Sequence, residues 1–200
     1  MKVLAVTGSI GSGKSYIVKI FNELGIPSYD SDSRTKLLYD RDKELMNSLI
    51  NLLGEDIVDN GLLRRDIFAK KIFSDKSLLS EVESLVHPAV LRDFLAWSKV
   101  EGEKAPFVIV ESAIILRVPI FENVITHSLL VSAPLELKIE RVVRRDNISR
   151  EDVFARLSNQ CEDDDSAEKV DFTIFADEKE PLLPQILEIY NKIIDCNGNR

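Results

Sequence analysis

Residues Gly8-Ser9-Ile10-Gly11-Ser12-Gly13-Lys14-Ser15 fill the pattern G-x-x-x-x-G-K-[ST] directly after the apolar run Val3-Leu4-Ala5-Val6. These residue types at this spacing suit the gripping of a polyphosphate. Dense negative charge must be met by several donors converging from one side, and Gly8, Gly11 and Gly13 let the backbone wrap with its N–H groups inward. Lys14 then reaches the β- and γ-phosphates and Ser15 offers its hydroxyl to Mg²⁺. A helix opening near Gly13 aims its positive end at the same anion. The expected nucleotide contacts are Gly11, Ser12, Gly13, Lys14, Ser15 and Tyr16.

Two further groups could act on such a nucleotide. Asp30-Ser31-Asp32 follows a short apolar stretch, where ligands collect at the sheet end of an open α/β fold. A carboxylate at Asp32 could orient and deprotonate an acceptor hydroxyl; the same position also suits a helix cap. Arg141, Arg144 and Arg145 end a helix that begins near Pro134, and Ser149 with Asp152 reads as a capping box opening the next one. The arginines describe either a cationic lid over a transferring phosphoryl group or side chains that complement a helix dipole.

The elements that must position these groups alternate between strand-like apolar runs and amphipathic stretches, the pattern of a parallel sheet with helices on both faces. Strands are expected at residues 2–7, 26–29, 107–111, 128–132 and 172–175. Between the second and third lie about seventy residues with helical periodicity and no convincing strand, too long for a simple crossover. This stretch reads as an inserted helical subdomain. Leu78, Leu79, Val82, Leu85 and Val86 recur at helical spacing, and Val90, Leu91, Phe94, Leu95 and Trp97 continue the pattern beyond His87-Pro88.

Composition narrows the class. Asp and Glu outnumber Lys and Arg by 34 to 26, a net charge of -8, which disfavours nucleic acid and anionic membrane as partners. Cys161 and Cys196 stand in no metal-binding or redox spacing, which fits a reducing compartment. With no charged leader and no apolar run near membrane-spanning length, a soluble cytoplasmic chain is expected. Guanine-nucleotide switches fit poorly. Asn191-Lys192-Ile193-Ile194-Asp195 has one residue too many for N-K-x-D, and Asp195-Cys196-Asn197-Gly198 matches D-x-x-G only at the far C-terminus. A small-molecule kinase is the expected class, with a nucleotide-binding switch or interaction protein as the alternative of a different kind.

Across nearly its whole length the chain resembles the dephospho-coenzyme A kinase family. The resemblance rests on the phosphate loop and on Leu24-Gly25-Ile26 leading to Asp30-Ser31-Asp32. It continues through Gly61, Leu63 and Arg65 before Ile72-Phe73, Glu83 before His87-Pro88, Arg141, Arg145-Asp146, and residues 156–160. It implies a P-loop core with a parallel five-stranded sheet over residues 1–32 and 105–200, a helical coenzyme A-binding insertion over about 58–100, and a lid over about 141–160. It also implies transfer of the ATP γ-phosphoryl to the ribose 3′-hydroxyl of dephospho-coenzyme A, the last step of coenzyme A synthesis. Lys14, Asp32, Arg141 and Arg145 would be catalytic, and Asp32, Arg65 and His87 would face the acceptor. Ser15 would hold Mg²⁺, with Glu111 acting through water. Three positions depart from the family pattern. Tyr16 replaces a small hydroxyl residue, Arg117 ends Glu111-Ser112-Ala113-Ile114-Ile115-Leu116-Arg117 in place of an acid, and Ala176 replaces an adenine-side Asn. Other kinases of the same loop class, acting on a nucleotide, a nucleoside or shikimate, remain alternatives on the loop alone.

Overall fold

A computed structural model describes residues 1–158 and 170–195. Five strands, β1 (Lys2–Thr7), β2 (Ser28–Asp30), β5 (Phe107–Glu111), β6 (His127–Ser132) and β7 (Phe172–Phe175), form a parallel sheet in the order β2-β5-β1-β6-β7. The expected α/β class is therefore what the chain adopts. Residues 3–6 and 107–110 are at most 1% exposed, because strands covered on both faces have no solvent side to make polar. From β1 the chain moves to the β2 edge, while β6 and β7 lie on the opposite side. The carboxyl end of β1 is thus the point where strand order reverses and where ligands bind in such sheets.

Helix α1 (Lys14–Glu23) buries Ile17, Val18 and Phe21, and α8 (Leu182–Asp195) buries Ile186, Ile189 and Ile193, all in one core with the sheet. The Phe21 ring meets Phe107 edge-on at 6.1 Å. Helices α6 (Leu135–Asp146) and α7 (Arg150–Ser158) share a smaller core of Ile139, Val142 and Val153. Between them Asn147 turns the chain at φ 53°, and Ser149 Oγ accepts the Asp152 N–H at 3.1 Å, the capping contact that the spacing predicts. The end of the expected lid, residues 159–160, lies outside the described residues, as do Cys161, Cys196 and residues 197–198.

Two compact units divide the chain: one holds Met1–Tyr29 with the described residues from Val100 onward, the other Asp30–Lys99. The second unit contains α2 (Ser31–Arg41), α3 (Lys43–Leu53), α4 (Arg65–Ser74) and most of α5 (Lys76–Glu101). Its apolar positions follow helical spacing, with Leu45, Leu49 and Leu53 on one face of α3 and Val82, Val86, Val90 and Phe94 on one face of α5. Arg34 grips Asp93 through two hydrogen bonds of 2.8 and 2.7 Å, tying α2 to α5. One expectation needs correction, since a small antiparallel hairpin, β3 (Val58–Asp59) and β4 (Leu62–Leu63), interrupts the helices. Its turn is Asn60-Gly61, with φ of 50° and 79°. Strands of two residues show no alternation, so the turn dipeptide was their one legible sign.

Candidate active site

The loop between β1 and α1 is shaped by what surrounds it. Gly8 has φ 141° and Gly11 φ 80°. A Cβ on Gly8 would strike the Val131 carbonyl oxygen, and one on Gly11 would lie 2.5 Å from the Lys138 carbonyl oxygen. The loop is therefore wedged between β6 and α6, with Ser12 N–H donating to Ser9 O at 3.2 Å across its bend. Gly11→Ala combines an unfavourable φ with a backbone collision, so a loss of about 1–3 kcal/mol is expected, read as a lower melting temperature. Native melting would show that the loop can shift aside.

Gly13 is the N-cap of α1, leaving the first-turn amides of that helix to face the loop's mouth. Lys14 Nζ donates to Gly8 O at 2.8 Å and Ser9 O at 3.3 Å, so its ammonium lies over the loop that the pattern assigns to phosphates. Ser15 Oγ donates to Glu111 Oε1 at 2.8 Å. Register explains that contact: Glu111 pairs with Val6 at the end of β1, one loop away from Ser15. The result is two hard oxygen donors side by side, which suits Mg²⁺, an ion that takes one or two protein oxygens and fills its remaining sites with phosphate and water. No group of three or more Asp, Glu, His or Cys side chains placed to hold a metal ion occurs among the described residues. Tyr16 is 62% exposed beside it.

The arginines of α6 have separate fates. Arg141 lies against the loop, with Nη1 donating to Ser12 O at 3.2 Å and Gly11 O at 3.4 Å. Its Nη2 donates to Ala176 O at 2.8 Å and to Glu178 Oε1 at 3.0 Å. Ala176 thus contributes a backbone acceptor. Arg145, one turn later, is exposed and held by Asp146 through bonds of 2.7 and 3.0 Å. That pairing holds Asp146 below the usual carboxylate range, with Arg156 adding to the effect from 3.6 Å. Lys138 Nζ donates to Ser9 Oγ at 3.0 Å. Sequence reasoning passed over Lys138, although its spacing of three from Arg141 puts both on one face of α6. It also passed over Glu178, whose contact with Arg141 spans thirty-seven residues.

In the second unit, Asp30 is the N-cap of α2, its side chain accepting the Ser33 N–H at 3.1 Å. Asp32 instead lies in the first turn of that helix, exposed, so the capping alternative raised for Asp32 falls to Asp30. Arg65 opens α4, exposed, with Nη2 3.7 Å from Asp40 Oδ2. His87 is half-buried in α5, and that burial lowers its pKa against the opposing pull of Glu83. The loop, Glu111 and Arg141 therefore form one constellation, while Asp32, Arg65 and His87 belong to the helical unit.

Comparison with known proteins places this geometry in a family. The dephospho-CoA kinase family model matches residues 2–180. A dephospho-CoA kinase of Bacteroides fragilis is 36% identical over 194 residues, covering 95% of this chain and 94% of that one. One from Porphyromonas gingivalis is 36% identical over 195 residues, covering 96% and 95%. The crystal structure of TT1252 from Thermus thermophilus superposes with a TM-score of 0.77 at 30% identity, over 100% of this chain and 98% of its own. With a family model matched over residues 2–180 and relatives 36% identical over nearly the whole chain, the chain belongs to the dephospho-CoA kinase family.

Proposed function

We propose that this kinase transfers the γ-phosphoryl of ATP to the ribose 3′-hydroxyl of dephospho-coenzyme A, giving coenzyme A and ADP. The observation that carries the reading is the joint placement of Lys14, Ser15 and Glu111 at the end of β1, in a chain of this family. Loop amides and the first turn of α1 bind the β- and γ-phosphates, and Lys14 exchanges the Gly8 and Ser9 carbonyls for phosphate oxygens. Ser15 and Glu111 would hold Mg²⁺, which supplies charge neutralisation when bound. Asp32 orients the 3′-hydroxyl and accepts its proton. Arg145, exposed and already extended towards a carboxylate, meets the charge on the transferring group, while Arg141 steadies the loop. Positioning and charge stabilisation supply most of the rate, since phosphoryl transfer proceeds through a loose transition state.

The acceptor is assigned to the helical unit, with Arg65 and His87 as contacts. The setting is cytoplasmic, a reading supported by an acidic sequence with two cysteines; no helix among the described residues is long and apolar enough to cross a membrane. Label from the ATP γ-phosphoryl should appear on the 3′ position of dephospho-coenzyme A and should vanish when divalent cations are chelated. Label released only as inorganic phosphate would refute the transfer.

Arg65 allows a sharper check on the acceptor side. Its contact with Asp40 is exposed and long, so removing it should change stability by less than about 1 kcal/mol. Arg65→Ala is expected to raise KM for dephospho-coenzyme A about tenfold or more, with KM for ATP nearly unchanged. Equal effects on both substrates, or none, would return Arg65 to the role of a surface residue.

A further inference from the structure

Among the described residues three that are not glycine adopt positive φ: Asn60, Asn147 and Glu178. Asparagine tolerates the left-handed region, and both asparagines turn a hairpin or end a helix. Glu178, at φ 65°, has no such excuse, because a long acidic side chain gains nothing from that backbone. Strain of this kind persists where the surroundings require it, and it clusters at functional sites.

The surroundings of Glu178 are specific. Its Oε1 accepts Arg141 Nη2 at 3.0 Å, and the same nitrogen donates to Ala176 O at 2.8 Å. The other end of that guanidinium donates to Ser12 O and Gly11 O. Arg141 is 20% exposed and Glu178 65%, so the carboxylate sits outside and the guanidinium lies between it and the loop. Gly13 confirms how close this brace lies, since a Cβ there would be 3.6 Å from Arg141 Nη1 and 3.8 Å from Ala176 Cβ. In a trans peptide the carbonyl and the following N–H point in opposite directions. A guanidinium that holds the Ser12 carbonyl on the α6 side therefore turns the Gly13 N–H the other way, with the peptide fixed before any phosphate arrives.

We infer that Glu178 is a positioning residue for the phosphate loop, acting through Arg141 to preset the Ser12–Gly13 peptide for a nucleotide triphosphate. The inference rests on the kinase reading above only in taking ATP as that triphosphate. A bare arginine could swing between loop carbonyls and solvent; an arginine held at both ends of its planar fork cannot. The strained backbone at residue 178 is what carries the carboxylate to the outer end of the fork.

Strain and positioning make opposite demands, and this separates them. Glu178→Gly removes both the strained side chain and the carboxylate, so its melting temperature should equal or exceed the native value. Its affinity for ATP, measured by calorimetry without acceptor, should nevertheless fall about threefold to tenfold, while KM for dephospho-coenzyme A stays within twofold. Glu178→Gln keeps an acceptor oxygen and should lose less. In an Arg141→Ala background the further change Glu178→Gly should alter ATP affinity by less than twofold, since the brace is already gone. Native ATP affinity in Glu178→Gly, or a full additional loss on top of Arg141→Ala, overturns the inference. A chain that binds ATP but leaves dephospho-coenzyme A untouched would sink the functional reading and leave this inference standing; failure to bind ATP at all would overturn both.

Discussion

Lys14→Ala should lower kcat by about 10²-fold to 10³-fold while the protein remains folded. The ammonium donates to the Gly8 and Ser9 carbonyl oxygens, at 2.8 and 3.3 Å, on the loop rather than in the sheet core. Losing those bonds costs about 1 kcal/mol of stability. Against the phosphates the same charge acts in a site with other donors already arranged, where a positioned cation is worth far more than in water. Steady-state kinetics beside a melting curve check both halves. A loss of kcat below tenfold would contradict the assignment of Lys14.

Asp32→Asn carries the second large effect. Because Asp30 caps α2 by accepting the Ser33 N–H, an amide at residue 32 leaves that cap in place, and the first-turn charge it removes near the helix dipole is worth about 0.3–1 kcal/mol. Melting and ATP affinity should therefore stay close to native. An amide cannot accept the proton of the 3′-hydroxyl and orients it more weakly, so kcat should fall by about two orders of magnitude, near the low end for a general base because a loose transition state leans little on proton removal. Asp30→Ala serves as the matched opposite. It removes the cap, with an expected loss of about 1 kcal/mol in stability. Preserved kcat in Asp32→Asn with unchanged melting would strip Asp32 of its catalytic role.

The parts of this molecule legible in its sequence are those fixed by local rules. The phosphate loop could be read because only glycine suits Gly8 and Gly11, where a side chain would strike Val131 or Lys138. The sheet strands could be read because residues 3–6 and 107–110 are buried on both faces and so unbroken in their apolarity. Boundaries shifted by one or two residues, as with β2, which runs Ser28–Asp30 rather than from residue 26. The choice between Asp30 and Asp32 as cap was not legible, since both are acidic and the decision depends on where the backbone leaves the extended region, here at Asp30 with φ -81° and ψ 102°. Contacts distant in sequence were harder still. Nothing in the composition of α6 separates Arg141, drawn to Ser12 and Ala176, from Arg145, drawn to Asp146. The strained Glu178 gave no signal at all, because its side-chain partner lies thirty-seven residues away.

A phosphate loop and a cationic helix serve many kinases equally well, so the acceptor is what distinguishes this one. One measurement addresses it: ATP and the purified chain incubated in parallel with dephospho-coenzyme A, AMP, cytidylate and shikimate, with products weighed by mass spectrometry. Dephospho-coenzyme A alone should gain a phosphoryl group, on its 3′-oxygen, at a rate at least about 10²-fold above any other acceptor. Comparable phosphorylation of AMP, cytidylate or shikimate, or ATP hydrolysis with no acceptor modified, would contradict it.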